Sequence, residues 1–91
     1  MIFITTYKIK PFLTKAETRE LLGVFAKEGP GPGATAHYVA ADGSHGLVIS
    51  ENDDLEGAYR NIQNYTQWVE YDTKPVLKVE QAVPLIMDAI S

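Results

Sequence analysis

The chain has 91 residues, 45% of them apolar and 22% charged, the composition of one ordinary globular domain rather than a disordered segment. Eight Lys and Arg stand against twelve Asp and Glu, a formal net charge of −4, which argues against sequence-independent binding to nucleic acid or to an anionic membrane. The absence of cysteine excludes a disulfide framework, a thiolate zinc site and a thiol nucleophile. The opening Met1-Ile2-Phe3-Ile4-Thr5-Thr6-Tyr7-Lys8 lacks the basic stretch and apolar core of a signal peptide. No apolar run approaches the roughly 20 residues of a membrane span, so a cytoplasmic chain is expected.

Ile2 to Ile9 is rich in β-branched and aromatic residues and stops before Lys10-Pro11, which predicts a first strand. Thr14 and Glu17 have the capping-box spacing. Thr18, Leu21, Leu22 and Phe25 follow at helical intervals, predicting a helix over about residues 15–28. Gly29-Pro30-Gly31-Pro32-Gly33 ends it. Ala36 to Ala41 and Gly46 to Glu51 read as two strands joined by the turn Asp42-Gly43-Ser44-His45, with Asp-Gly as the hairpin signal. Asn52 or Asp53 is the expected N-cap of a second helix carrying Leu55, Ala58, Tyr59 and Ile62 on one face. Val69 to Val79 alternates as a long strand in which Pro75 demands a sheet edge or a bulge. Val83, Ile86, Met87 and Ile90 form a last helical stripe, with Pro84 expected in its first turn.

This order predicts one α+β domain over residues 1–91: a ferredoxin-like βαββαβ arrangement with a four-stranded antiparallel sheet, two helices on one face and a C-terminal helix. The face away from the helices should be polar, yet both faces carry apolar groups. Ile2 and Ile4 oppose Phe3, Tyr7 and Ile9; Leu47 and Ile49 oppose Val48; Tyr38 opposes Val39. Either the terminal helix folds over the second apolar face, or another copy of the sheet packs on it. The second is the expectation, since burying three or four such side chains at about 1.5–3 kcal/mol each can hold a small dimer.

The residues Ile2-Phe3-Ile4-Thr5-Thr6-Tyr7-Lys8-Ile9-Lys10-Pro11, the turn Ala40-Ala41-Asp42-Gly43-Ser44-His45-Gly46, Glu51-Asn52-Asp53-Asp54 and Lys74-Pro75-Val76-Leu77 resemble a family of short bacterial proteins of unknown function. The resemblance covers nearly the whole chain, and that family looks like part of the dimeric α+β barrel superfamily. Its relatives include antibiotic-biosynthesis-type monooxygenases, muconolactone-isomerase-like proteins and stress-responsive barrel proteins. The resemblance implies a homodimer whose sheets face each other. It assigns no catalytic residue, and fold analogy alone does not warrant a function.

His37 and His45 are the only histidines. With Asp42 they could in principle ligate a divalent ion, but nothing in the spacing makes them converge, and no metal site is expected. His37 sits mid-strand, and imidazole changes charge near neutral pH, so it is the candidate general base or orienting group. Tyr7 and Tyr38 are candidate hydrogen-bond donors beside it. Among Tyr59, Tyr65, Trp68 and Tyr71, the stripe position of Tyr59 reads as core. Tyr65, Trp68 and Tyr71 are candidate walls of an aromatic pocket or subunit seam.

Ser44 and His45 are adjacent in a tight turn, where an imidazole is not expected to reach its neighbour's hydroxyl. The Gly29–Gly33 segment lacks Gly-Lys-Ser/Thr and leads into a strand, so it reads as a connection or a lid rather than a phosphate loop. Glu51, Asp53, Asp54 and Glu56 suit the positive end of the second helix. An RNA-recognition domain shares the βαββαβ order but stacks bases on exposed aromatics of its third strand, and Leu47-Val48-Ile49-Ser50-Glu51 offers none.

The reading that follows is a homodimer binding a small, largely apolar organic molecule between sheet and helices. His37 and Tyr7 would serve proton-transfer or oxygenation chemistry without a cofactor, and Tyr38, Trp68 and Tyr71 would contact the ligand. The alternative is a non-enzymatic interaction or structural module whose edge strand or terminal helix docks a protein. That alternative draws on the scarcity of convergent titratable groups.

Overall fold

The computed structural model describes residues 1–91. The elements run β1 (Ile2–Ile9), α1 (Lys15–Glu28), β2 (Ala34–Val39), β3 (His45–Glu51), α2 (Leu55–Gln63), β4 (Val69–Val76) and α3 (Val79–Ile90). The four strands form one antiparallel sheet in the order β2-β3-β1-β4, the ferredoxin-like topology. β1, the most β-branched segment, takes an inner position between β3 and β4. Pro75, which lacks a backbone donor, sits on the edge strand β4 opposite Phe3, where it costs no ladder bond on its outer side.

Local chemistry sets the element ends. The Thr14 hydroxyl accepts from the Glu17 amide at 3.1 Å, and the Glu17 carboxylate accepts from the Thr14 amide at 3.2 Å, which closes the expected capping box. α1 stops at Gly29, whose φ of +72° suits glycine and few other residues. The Gly/Pro segment is then tied to α2 and the turn after it: Asn61 Nδ2 of α2 donates to the Gly29 carbonyl at 3.4 Å, and the Tyr65 hydroxyl donates to the same oxygen at 2.6 Å.

Several boundaries differ from the sequence expectation. β2 starts at Ala34, with a bulge between Ala34 and Ala36, and ends at Val39, where the Ala40 carbonyl accepts from the Gly43 amide in the turn. The N-cap of α2 is Asp54, whose carboxylate accepts from the Gly57 amide at 2.9 Å. Asn52 is spent elsewhere, accepting from the Asp54 amide and donating to the Pro32 carbonyl. β4 ends at Val76, and Val79 opens α3, because the Gln81 side chain caps the Lys78 amide at 3.0 Å. Pro84 consequently falls in the second turn of α3, where it removes one intrahelical hydrogen bond.

The register sorts the sheet into a front face, against α1 and α2, and a rear face. Phe3, Thr5, Tyr7, Ile9, Val48 and Val69 look forward; Ile2, Ile4, Leu47, Ile49 and Tyr38 look back. Tyr65, Trp68 and Val69 form the buried cluster at one end of the front layer, with Leu13, Leu21 and Val24 packed on it. On the rear face Ile2, Ile4, Leu47 and Ile49 are half-buried and Tyr38 is exposed. α3 does not seal that face. None of its residues is buried, and Val79, Leu85, Ile86, Met87 and Ile90 are each more than half exposed. The chain is 57 Å long with a radius of gyration of 15.8 Å, against about 12 Å for a compact domain of this length. α3 therefore stands away from the body. No helix is long and apolar enough to cross a membrane.

Candidate functional site

A cavity of about 450 Å³ lies between the front face and the two helices, within the range of roughly 300–1,000 Å³ typical of small-molecule sites. The sheet supplies its floor through Thr5 and Tyr7 of β1, His37 of β2, Val48 and Ser50 of β3, and Tyr71 of β4. Phe25 of α1 and Ile62 of α2 face them, and Pro30, Gly31 and Pro32 line the side where the loop passes. No Asp, Glu, Lys or Arg belongs to the wall.

The polar centre of the floor is a hydrogen bond of 2.6 Å between the Tyr7 hydroxyl and His37 Nε2. The rings of Tyr7 and His37 meet edge-on at 5.7 Å, Tyr71 lies 5.9 Å from Tyr7 on the other side, and Phe25 lies 5.6 Å from His37. Tyr7 belongs to β1 and His37 to β2, with β3 between them. The phenol reaches across because the residue opposite Tyr7 on β3 is Gly46. A Cβ there would overlap the end of the Tyr7 ring. Glycine inside a strand often marks such a close approach, and that signal was available in the sequence though unused.

Burial raises the pKa of the Tyr7 hydroxyl and raises that of Tyr71 strongly, the latter with smaller contributions from Tyr65 and Tyr7. Tyr65 is also raised, by burial first and the Glu28 carboxylate second. All three phenols are held neutral, and an interior that disfavours phenolate disfavours any unpaired anion. The Thr5 and Thr73 hydroxyls pair at 2.9 Å. The Ser50 and Tyr71 side chains also line the cavity.

Of the residues singled out in the sequence, His37, Tyr7 and Tyr71 converge on this floor. Two do not. Tyr38 follows His37 along β2 and so points to the opposite face, where it is 64% exposed; it is no donor in this cavity. Trp68 is 5% exposed in the cluster with Tyr65 and Val69, against which Tyr7 and Tyr71 pack, and it is not part of the wall.

The β2–β3 turn corrects a further expectation. The Ser44 hydroxyl lies 2.8 Å from His45 Nδ1 and 2.7 Å from the Asp42 carboxylate, so the imidazole does reach its neighbour. Bonds from the Ser44 hydroxyl and amide hold the Asp42 carboxyl below its ordinary value. The carboxylate grips the hydroxyl rather than the imidazole, and the group is solvent-exposed at a turn tip, so it lacks the base-orienting order of a nucleophilic triad. No group of three His, Asp or Glu side chains is placed to hold a metal ion.

Fold and floor together define a ferredoxin-like α+β domain with an aromatic cavity whose wall carries no permanent charge. A model of a domain of unknown function (DUF3303) matches residues 1–90, and the chain belongs to that family. No curated protein matches it.

Gly46→Ala should push the Tyr7 ring aside and destabilise the fold by about 1–3 kcal/mol, the usual range for overpacking. The chemical shift of His37 Nε2 should change with it, and an unchanged shift would show that Tyr7 does not depend on this glycine. The buried phenols set a pH dependence as well. Their folded-state pKa lies above the ordinary value of about 10, so their contribution is complete below that pH and is lost as pH rises beyond it. Urea unfolding should therefore give a stability that falls above about pH 10, less steeply for Tyr71→Phe, which has one fewer group to titrate. Equal slopes for the two proteins would contradict this.

Proposed function

We propose that the chain binds a small, largely apolar organic molecule in the front cavity, with Tyr7 and His37 as its polar anchor. The observation that carries the reading is the 2.6 Å Tyr7–His37 bond on the floor of a 450 Å³ cavity. A few converging polar groups in an otherwise apolar concavity are the usual form of a ligand site. Unaided, these two side chains can hand a proton between a bound oxygen and the imidazole, which makes proton transfer the reaction class that suits them. His37 is the base, and Tyr7, donating to its Nε2, accepts from the bound hydroxyl and relays that proton to the imidazole. Tyr71 forms the adjoining wall.

The chain works as a homodimer of the dimeric α+β barrel kind. Supporting this are the apolar centre of the rear face and the uncovered α3, two surfaces too apolar to be left in water. The second reading, a non-enzymatic interaction module, draws on α3 alone: a projecting helix with its apolar residues exposed suits insertion into a groove.

N-phenyl-1-naphthylamine, a neutral dye, is the probe of the first reading, and Trp68, the only tryptophan, reports from behind the cavity wall. Saturable dye binding with a change in Trp68 emission is expected, weakened at least several-fold when Ile62→Trp fills the space. Binding that survives Ile62→Trp unchanged would move the site elsewhere. Light scattering should give twice the 10.1 kDa chain mass at micromolar protein. A single-chain mass would remove the dimer.

A further inference from the structure

From the makeup of the cavity wall we infer that its ligand is an uncharged aromatic molecule with an oxygen function, a hydroxyl or a carbonyl, seated at the Tyr7–His37 pair. This rests on the cavity being a ligand site, as proposed above, and adds the chemical class. The first observation is negative charge and positive charge alike missing from the wall: none of the residues around the space is Asp, Glu, Lys or Arg. An ion entering would lose its hydration and meet no counter-charge, a cost of several kcal/mol in real proteins. The raised pKa values of Tyr7 and Tyr71 show the same environment acting on the protein's own phenols.

The second observation concerns shape. The rings of Phe25, His37, Tyr7 and Tyr71 lie in series at centroid spacings of 5.6, 5.7 and 5.9 Å, a continuous aromatic surface on which a flat ring packs edge-on or offset. Ring faces can also attract cations. Here no carboxylate belongs to the wall, so an ammonium group would have no anion in direct contact to replace its water.

The third observation is the hydrogen-bond inventory. A tyrosine hydroxyl holds one proton and two lone pairs, and a neutral imidazole has one donor and one acceptor nitrogen. If Tyr7 donates to His37 Nε2, its oxygen still accepts a bond from a ligand hydroxyl. If Nε2–H donates to Tyr7, the phenol proton is free for a ligand carbonyl. Either tautomer leaves a place for a neutral oxygen at the pair, and the Ser50 and Tyr71 side chains border the same space.

The test is a titration of the full chain, followed by Trp68 emission and by calorimetry, with naphthalene, 2-naphthol, 2-acetylnaphthalene, 2-naphthoate and 2-naphthylmethylammonium. The two neutral oxygen compounds should bind at least tenfold more tightly than naphthalene and than either ion. Their relative affinity separates the hydroxyl from the carbonyl. Tyr7→Phe should bring both down to the level of naphthalene and leave naphthalene itself unchanged, which also shows the variant to be folded. Naphthoate or the ammonium binding as well as 2-naphthol would overturn the uncharged class. Naphthalene binding as well as 2-naphthol would overturn the oxygen anchor. Binding of none of the five would remove the ligand site itself, and this inference with it.

Discussion

The site depends on a missing side chain. Strands in a sheet are about 4.8 Å apart, so a phenol on β1 reaches an imidazole on β2 only by lying across β3. Gly46 is the residue over which Tyr7 lies. From that one allowance follow the 2.6 Å bond to His37, the ring series that continues to Tyr71, and the polar centre of a floor without Asp, Glu, Lys or Arg. A larger residue at this point would turn Tyr7 upward into the space between sheet and helices and fill much of it.

The helices then hold the space open rather than closing it. Neither α1 nor α2 has a buried residue. Leu21 and Val24 of α1 pack on the buried cluster, while Phe25 of α1 and Ile62 of α2 form part of the wall around the cavity. The fold's buried cluster is confined to the end marked by Tyr65, Trp68 and Val69. Apolar surface is thus left over in three places: the cavity, the rear face and α3. A single domain with so little interior is stabilised by whatever occupies those surfaces, which is the physical link between the proposed ligand and the proposed partner chain.

Much of the architecture could be read from residue spacing. The period-2 run of β1, the Thr14–Glu17 box and the Asp42-Gly43 turn are local signals, and local signals fix element type and order. The boundaries that moved were decided by competition between neighbours. Asn52 is as good a cap as Asp54 but is occupied by the Pro32 carbonyl, and Lys78 becomes a helix start because Gln81 reaches back to it. The site was half legible. Strand alternation puts His37, Tyr7 and Tyr71 together once the register is known, and the same alternation sends Tyr38 to the other face. Trp68 looked like a pocket wall because large aromatics often are, whereas its place behind the wall depends on the turn after α2, where its amide bonds to the Tyr65 carbonyl. The approach of Phe25 to His37 is a helix-to-strand contact that no local pattern encodes.

What distinguishes this arrangement from an ordinary packed domain is space between the sheet and its helices, and a crystal structure under xenon pressure measures that space directly. Xenon enters apolar cavities that side chains leave open. Xenon density is expected among the rings of Phe25, Tyr7 and Tyr71. The contradicting result is a front face packed directly against α1 and α2, with no xenon between them.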